Sequence, residues 1–286
     1  SDLRKLALQG GTAGASSTQL APLAMRFLDN LESVKEQEFR NDDLANSAQV
    51  WTGSWLATGE MTSQFFVRPC FEPLLTAIKK CWERPRQRHV LLIGTPGTGK
   101  TFFHNFVARK LVEDPRRDFQ VVLAVEGEYI CVHPDGKRTV GASLADFRAF
   151  TAIQETVVLL DLYNKDSPPA GLICKVLVTS SLNRERYADF VNKYCVTLYF
   201  PLWTTAELNA CRGTCFPDVS EKEMSERIVK WGGIIRWTIG DCCEASEQAF
   251  QAALAKLQFE EAVNTMRTGQ VDDSKVSHRL LHFTVS

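Results

Sequence analysis

The sequence predicts an α/β fold, in which a five-stranded, mostly parallel sheet is flanked by helices and followed by a helical unit. Two observations predict it. Five short apolar runs rich in β-branched residues alternate with helical stretches, as expected for a parallel sheet covered on both faces. After Pro201 the strand-like runs are replaced by helical patterns. The predicted strands are His89–Ile93, Val121–Val125, Val157–Leu160, Val176–Thr179 and Val196–Phe200.

We expect three regions along the 286-residue chain. They are an N-terminal linker and helix (1–60), an α/β core (61–202), and a helical lid that begins a C-terminal extension (203–286). The small, polar segment Gln9–Thr18 is typical of a linker, and the apolar spacing over Leu20–Phe39 predicts a helix. Trp51 and Trp55 are predicted to be packing anchors. The chain begins at Ser1 rather than Met, so we expect it to be part of a longer protein.

The core and the lid carry further local signals. Asp135 and Gly136 form a turn signal within the otherwise extended segment Cys131–Val140, which predicts a hairpin between the second and third strands. In the lid, Thr204 or Thr205 can cap the first helix. The predicted lid elements are a helix up to Arg212, helices over Ser220–Trp231 and Glu244–Arg267, and a strand over Ser277–Val285.

Bulk composition disfavours some partners. The net charge is −1 and 23% of residues are charged, so no general attraction to nucleic acid or to an anionic membrane is expected. No apolar run approaches the roughly 20 residues that a membrane-spanning helix needs. Nine cysteines are scattered without a regular spacing, which favours reduced thiols in a reducing compartment. Cys211 and Cys215 share a helix face but have no second pair nearby to complete a metal site.

The strongest functional signal is a glycine-rich loop between the first predicted strand and the helix after it. Its residues fit the pattern G-x-x-x-x-G-K-[ST], with the flanking elements that the phosphate loop of P-loop nucleotide-binding proteins requires. Glycines let backbone N–H groups converge on phosphate oxygens, and the helix N-terminus attracts the same negative charge. The predicted nucleotide-binding residues here are Gly94, Thr95, Pro96, Gly97, Thr98, Gly99, Lys100 and Thr101.

Two side chains of the loop have distinct predicted roles. Lys100 would reach the β- and γ-phosphates of a triphosphate, and the Thr101 hydroxyl would bind Mg²⁺. An acid at the end of a neighbouring strand would complete the metal site, and Asp161 follows the apolar third strand. Glu126, after the second strand, is the alternative. The sequence therefore predicts Mg²⁺ and ATP or GTP as ligands.

A hydrolysing P-loop protein also needs a group that polarises the attacking water. Many such proteins carry Glu directly after the acid that holds Mg²⁺, but Leu162 occupies that position here. Glu126 or Glu128, at the end of another predicted strand, could substitute. Without a substitute, hydrolysis would be slow, or the protein would be a nucleotide-dependent switch.

Two further places offer contacts to the γ-phosphate. The residues after the fourth strand that could supply them are Ser180, Ser181, Asn183, Arg184 and Arg186. A solvated charged turn is the alternative for the two arginines. In the lid, Gly232 and Gly233 permit a tight turn and a close backbone approach, and Arg236 follows with a charge that could read the nucleotide. A structural turn with an exposed arginine is the alternative there.

At the level of longer segments, the chain resembles the nucleoside-triphosphatase domain of Crinkler effectors, which filamentous plant pathogens deliver into host cells. The related retrotransposon hot spot proteins share that domain. The resemblance covers roughly Val50 to the C-terminus and rests on these segments, in this order: FFVRPCFEPLL, LLIGTPGTGKT, VTSSLNRERYADF, LYFPLWTTAELNACR, WGGIIRW and VSHRLLHFTV.

The resemblance implies an additional-strand P-loop ATPase core with a helical lid. It also implies an N-terminal delivery header, of which residues 1–60 would hold a remnant, and a C-terminal toxin domain of nuclease-like or kinase-like type. Secretion into a host cell and action in the host nucleus follow from the resemblance alone. The family usually has Pro before the arginine of the lid motif, whereas Ile235 precedes Arg236 here.

Four functions are compatible with these patterns. The leading hypothesis is a Mg²⁺-dependent nucleoside triphosphatase that powers or gates an attached effector domain, with host proteins or host DNA as partners of flanking domains and with self-association as a further option. The second is a non-hydrolysing nucleotide switch or scaffold that binds host partners, which Leu162 favours. A phosphotransferase is third, because no acceptor site is evident. Direct action on nucleic acid is fourth, because the net charge is near zero.

Overall fold

The structure, a computed structural model, describes residues 22–39, 48–53, 63–125, 127–162, 172–183, 186–191, 195–240, 247–248 and 251–252. In this part of the chain, ten strands form two sheets, an antiparallel one of three strands and a mixed one of seven. The larger sheet is mostly parallel and has helices packed on it. The α/β class predicted from the sequence is therefore confirmed.

The smaller sheet follows the N-terminal helix. Helix α1 spans Leu23–Glu32, and strands β1, β2 and β3 span Lys35–Phe39, Ala48–Gly53 and Ser63–Val67. Each strand pairs with the next in antiparallel fashion. The prediction of a helix as far as Phe39 is wrong, because the chain enters β1 at Lys35 and pairs there with β2. Cross-strand pairing outweighs the helix propensity of the Lys, Glu and Gln residues in this segment.

Trp51, on β2, joins the smaller sheet to the rest of the protein. Its side chain is fully buried and stacks on Phe106 with ring centroids 5.2 Å apart. The guanidinium of Arg109 lies 4.6 Å from the centre of the same indole. The predicted packing role of Trp51 is confirmed. Trp55 and the predicted linker Gln9–Thr18 lie outside the described residues.

Strands β4 to β10 form the larger sheet, in the order β10-β4-β9-β8-β5-β6-β7. Strands β10, β4, β9, β8 and β5 run parallel, so their carboxyl ends lie at one edge of the sheet. They are the five strands predicted from apolar runs, and all five are confirmed to within one residue at each end. In chain order, β4 to β10 span His89–Ile93, Val121–Val125, Glu128–Val132, Arg138–Gly141, Val157–Asp161, Lys175–Ser180 and Cys195–Tyr199.

The sheet has more strands than predicted because the hairpin after β5 extends it. Strand β6 pairs antiparallel with both β5 and β7. At the turn, Gly136 has a φ of 82°, and its N–H donates to the carbonyl of His133 at 2.9 Å. The hairpin itself is therefore confirmed. Its attachment to the edge of the main sheet makes that sheet mixed rather than five-stranded.

Apolar side chains cover both faces of the larger sheet. Val90 and Leu92 of β4 enter one core with residues of α1, α2 (Phe71–Trp82) and α3 (Lys100–Val112). Leu91 and Ile93 enter the opposite core with the 3-10 turn Leu144–Phe147, which precedes the short helix α4 (Arg148–Thr151). Burial on both faces explains why these strands are continuous apolar runs rather than alternating ones.

Two helices follow the sheet, α5 (Thr205–Cys215) and α6 (Glu221–Trp231), and then a π-helical turn, Arg236–Gly240. We call residues 201–240 the C-terminal helical segment. The predicted cap at Thr204 is confirmed, because its hydroxyl accepts from the Glu207 N–H while the Glu207 carboxylate accepts from the Thr204 N–H. The helix predicted over Ser220–Trp231 is also confirmed, with Ser220 as its N-cap.

Most of the elements predicted after residue 240 cannot be compared with the structure. All of Ser277–Val285 and nearly all of the predicted helix Glu244–Arg267 lie outside the described residues. Among the helices that the structure does describe, none is long and apolar enough to cross a membrane.

Candidate nucleotide-binding site

The glycine-rich loop joins β4 to α3 at the edge where the parallel strands end. Gly97 and Gly99 have φ values of 82° and 99°, and Gly99 is the N-cap of α3. Residues with a side chain pay a steric cost in this left-handed region, so the loop backbone requires glycine at both positions. Turns of this kind let successive N–H groups converge on an anion at a helix N-terminus.

Hydrogen bonds within the loop hold its first carbonyl groups. Lys100 Nζ donates to the carbonyl oxygens of Gly94 and Thr95, at 2.7 and 2.9 Å. The Thr98 hydroxyl also donates to the Thr95 carbonyl, at 2.8 Å. The lysine side chain is therefore folded back along the inside of the loop, where its ammonium group lies against carbonyl dipoles.

The C-terminal helical segment holds two further carbonyl groups of the loop from outside. Trp203 Nε1 donates to the Thr98 carbonyl at 2.8 Å, and the backbone N–H of Arg236 donates to the Gly97 carbonyl at 3.2 Å. Because the N–H and C=O of a trans peptide point in opposite directions, these bonds turn the N–H groups of Thr98 and Gly99 the other way. The loop thus presents backbone donors on the side opposite its external supports.

The charge of Lys100 is poorly solvated. Burial lowers the pKa of this ammonium group to about 8; the Asp161 carboxylate opposes the shift, and the guanidinium groups of Arg236 and Arg186 add to it. A buried cation beside two other cations is stabilised by an anionic ligand. The structure brings together Lys100, Asp161, Arg186 and Arg236, all of which the sequence singled out.

Asp161 ends β8 with its carboxylate only partly satisfied. The Thr179 hydroxyl, on the neighbouring β9, donates to Oδ1 at 2.8 Å. The other oxygen, Oδ2, is buried without a hydrogen-bond partner among the described residues, and so are the hydroxyls of Thr95 and Ser180. Buried polar atoms in native proteins normally have a partner, so orphans grouped near the lysine of the glycine-rich loop indicate a site for water, an ion or a ligand.

These residues fit Mg²⁺. This ion usually takes one or two carboxylates and keeps several waters, with nucleotide phosphates as further ligands. Asp161 would supply the carboxylate, and the exposed Thr101 in the first turn of α3 would supply the hydroxyl. The described residues hold no group of three or more His, Cys, Asp or Glu side chains arranged for a metal, and such a group is not what Mg²⁺ with a nucleotide requires.

Arg236 follows a backbone segment that rests directly on the loop. A Cβ added to Gly97 would lie 2.9 Å from Arg236 Cβ and 3.1 Å from Ile234 Cγ2. On the other side of the turn, a Cβ on Gly233 would lie 2.3 Å from the Trp203 carbonyl oxygen. The predicted close approach of the glycine turn is therefore confirmed. The side chain of Arg236 is exposed, while its backbone is fixed on the loop.

Two positions considered for polarising water do not face the loop. Leu162 is buried in the core opposite α3, and its N–H donates to the Thr179 carbonyl. Glu128 accepts the N–H of Ala24 at 3.0 Å and so caps the start of α1. The Glu128 carboxylate therefore serves another element, and its role as a substitute base stays a prediction. Glu126 lies outside the described residues.

Residues at the end of β9 and just after it lie near the start of the loop and the end of β8. Ser180 is fully buried and is the register partner of Ile93, so it lies beside the start of the loop. Ser181 and Asn183 are half-buried. Arg186 donates to the Leu162 carbonyl at 3.3 Å, which holds its guanidinium near the end of β8. Arg184 lies outside the described residues.

Sequence patterns missed three residues of this site. His104 lies one turn after Lys100 and is buried, and burial lowers its pKa while the nearby Asp161 charge raises it. Its spacing of four from Lys100 on a helix was the available signal. Thr179 and Trp203 carried no comparable signal, because each acts through a contact with a residue distant in the chain.

No protein-family model matches the sequence, and no curated protein matches it.

Proposed function

We propose that this protein is a Mg²⁺-dependent nucleoside triphosphatase of the P-loop class, acting on ATP or GTP. The observation that carries the proposal is the shape of the loop. Its carbonyl groups at Gly97 and Thr98 are held from outside, its glycines adopt left-handed φ values, and Lys100 lies within it. Backbone donors, a helix N-terminus and a desolvated ammonium group together suit a polyphosphate.

Strand order supports the same class. Strand β9 lies between β4, which leads into the loop, and β8, which ends in Asp161. One strand inserted between the loop strand and the acid strand is what the additional-strand type requires. The carboxylate of Asp161 and the ammonium of Lys100 nevertheless lie within electrostatic reach of each other, so both can serve one bound Mg²⁺–triphosphate.

Each residue has a role in this proposal. The N–H groups of the loop and Lys100 hold the β- and γ-phosphates, and Thr101 and Asp161 hold Mg²⁺. Arg236 and Arg186 neutralise charge that develops on the γ-phosphate, a role that Arg184 shares in the proposal. Mg²⁺, held by Thr101 and Asp161, would neutralise negative charge on the bound phosphates.

Hydrolysis requires a group that orients water, and Glu126 is the proposed base. Strand β5 pairs with β8 and ends at Val125, so Glu126 follows the strand adjacent to that of Asp161. The second candidate function is a non-hydrolysing nucleotide-dependent switch or scaffold that binds host partners. The burial of Leu162, where many hydrolases carry Glu, favours that alternative.

The biological setting is proposed from sequence resemblance alone. The order of the segments shared with Crinkler effectors supports a domain that is secreted into a host cell and reaches the host nucleus, with host proteins or DNA as partners of flanking domains. Expression of a fluorescent fusion in plant cells tests the location. Exclusion of the fusion from nuclei would remove this part of the proposal and leave the nucleotide chemistry untouched.

Phosphate release from the purified protein tests the function. With Mg²⁺ and ATP or GTP, we expect release above background that stops on chelation of Mg²⁺ and in Lys100→Ala. Lys137→Ala, on the hairpin turn with a side chain 82% exposed, should keep the wild-type rate. Tight triphosphate binding without release would favour the switch, and release only with added DNA would indicate action on nucleic acid. A wild type that binds no triphosphate would overturn the proposal.

A further inference from the structure

We propose that Trp203 and Arg68 are positioning residues of the phosphate loop, which set its affinity for triphosphate from outside the loop. The inference rests on the proposed function and extends it to residues that touch neither nucleotide nor metal. It follows from a continuous set of contacts. These run from Arg68, just after β3, through the start of the C-terminal helical segment to the carbonyl of Thr98.

Trp203 forms hydrogen bonds both to the loop and to the glycine turn before Arg236. Its indole Nε1–H donates to the Thr98 carbonyl at 2.8 Å, and its backbone N–H donates to the Gly233 carbonyl at 3.0 Å. Its side chain is buried, with an 8% exposed residue surface. One residue therefore fixes a carbonyl of the loop and, through Gly233, the turn that leads to Arg236.

Arg68 holds Trp203 in place. Its guanidinium is buried and forms a bidentate pair with Glu207, with both N···O distances 3.0 Å. It also donates to the carbonyls of Pro201 and Leu202, at 2.9 and 2.7 Å, and lies 4.7 Å from the centre of the Trp203 ring. The two residues before Trp203, its ring and the helix after it are thus fixed by one planar group.

The bond to Thr98 affects binding because the loop must have one shape to receive phosphates. A loop whose carbonyl lacks its partner populates other shapes, and the apparent dissociation constant rises in inverse proportion to the competent fraction. The net contribution of one hydrogen bond corresponds to roughly two- to tenfold in an equilibrium constant. The effect falls on phosphate binding rather than on recognition of the base.

Trp203→Phe removes the indole N–H and keeps an aromatic ring. The matched control is Trp82→Phe, because Trp82 is equally buried and its Nε1 donates to a backbone carbonyl, that of Val176, away from the loop. Calorimetric titrations with Mg²⁺–ATP and with Mg²⁺–tripolyphosphate compare the two variants with wild type. We expect Trp203→Phe to lower the affinity for both ligands by the same factor, roughly two- to tenfold. Trp82→Phe should leave both affinities unchanged.

Hydrogen exchange distinguishes positioning from general loss of structure. In Trp203→Phe without ligand, exchange should accelerate over 97–101 and return to the wild-type rate at saturating tripolyphosphate. Acceleration spread equally over the core strands, without selective change in the loop, would overturn the inference.

Arg68→Lys provides a second test, since lysine keeps the charge but lacks the planar fork. If Arg68 acts through Trp203, the two substitutions should not be additive. The double variant Arg68→Lys with Trp203→Phe should then bind tripolyphosphate no more weakly than the single variant with the lower affinity does. If Arg68→Lys does not fold, Trp203→Phe alone decides. Wild-type affinity in Trp203→Phe overturns this inference and leaves the proposed function standing. A wild type that binds neither ligand overturns both.

Discussion

The backbone N–H of Arg236 donates to the carbonyl of Gly97 at 3.2 Å, and a Cβ on Gly97 would lie only 2.9 Å from Cβ of Arg236. The C-terminal helical segment is therefore in direct contact with the loop proposed to hold phosphate. Because coupling between binding and conformation is reciprocal, a ligand that fixes the loop also favours one position of the segment. In the proposed function, this contact would connect nucleotide state to the C-terminal helical segment.

Substitution of two glycines tests the contact. Gly97 and Gly99 both have left-handed φ values, so alanine is strained at either position. Only at Gly97 would the added methyl meet Arg236 and Ile234, since nothing lies within 4 Å of a Cβ at Gly99. Gly97→Ala should therefore weaken triphosphate binding more than Gly99→Ala and should raise hydrogen exchange over 231–240. Equal effects of the two variants on both measurements would show that the contact has no influence.

Removal of the Arg236 guanidinium tests whether the segment senses the γ-phosphate. Arg236→Ala keeps the backbone bond to Gly97, so the loop should stay formed. Diphosphate affinity should be largely retained, while the preference for triphosphate falls roughly tenfold, as expected for a lost charged contact. The measurement is the ratio of triphosphate to diphosphate affinity, with hydrogen exchange over 203–267. An unchanged ratio with unchanged exchange would leave the arginine as a surface residue.

Comparison of substitutions at Asp161 and Glu126 tests which carboxylate binds the metal. Asp161→Asn keeps the shape of the side chain and its acceptor for the Thr179 hydroxyl but loses the charge that Mg²⁺ requires. Its Mg²⁺-dependent affinity for triphosphate should fall far more than that of Glu126→Gln, in which only phosphate release should fall, because Glu126 is the proposed base. The reverse order would mean that the metal acid has been misassigned. Loss of phosphate release with retained triphosphate affinity in Glu126→Gln would identify Glu126 as the group that polarises water and would favour a hydrolase over a switch.

The lowered pKa of Lys100 predicts a pH dependence of binding. Without ligand this amine loses its proton as pH rises through about 8, whereas bound phosphates stabilise the charged form. Above that pH, binding takes up a proton, so affinity should fall by up to about tenfold per pH unit. Titrations with triphosphate and a metal chelator between about pH 7 and 9.5 measure this. Lys100→Arg remains charged over that range, and its affinity should stay constant. A wild type without pH dependence would contradict the lowered pKa.

The parts of the fold that depend on local pattern were predictable from sequence. The strands of the parallel sheet are continuous apolar runs because both faces are buried, and the cap at Thr204 has its partner Glu207 three residues away. The strand β1 was not predictable, because its residues are mostly exposed and polar and it forms only by pairing with β2. The attachment of β6 to β5 was missed because the local pattern of β6 does not specify which strand it pairs with.

The residues of the candidate site also fall into two groups, those predictable from local sequence pattern and those that depend on distant contacts. The loop pattern identified Lys100 and Thr101, and the strand end identified Asp161. The bond from Trp203 to Thr98 joins residues 105 positions apart, and the pair of Arg68 with Glu207 joins residues 139 apart. Pairwise contacts at that separation leave no periodic trace in one sequence, so the supports of the loop required the fold.

Calorimetric titration of Mg²⁺–triphosphate into wild type and Lys100→Ala tests the central claim most directly. Lys100 Nζ lies inside the loop and donates to the carbonyls of Gly94 and Thr95, so removal of this side chain should leave the fold intact, as circular dichroism will verify. We predict saturable binding at one site in the wild type, and affinity at least tenfold weaker in the variant, from the loss of the principal cation at the β- and γ-phosphates. Equal affinity in the two folded proteins would contradict a phosphate-binding loop at this position.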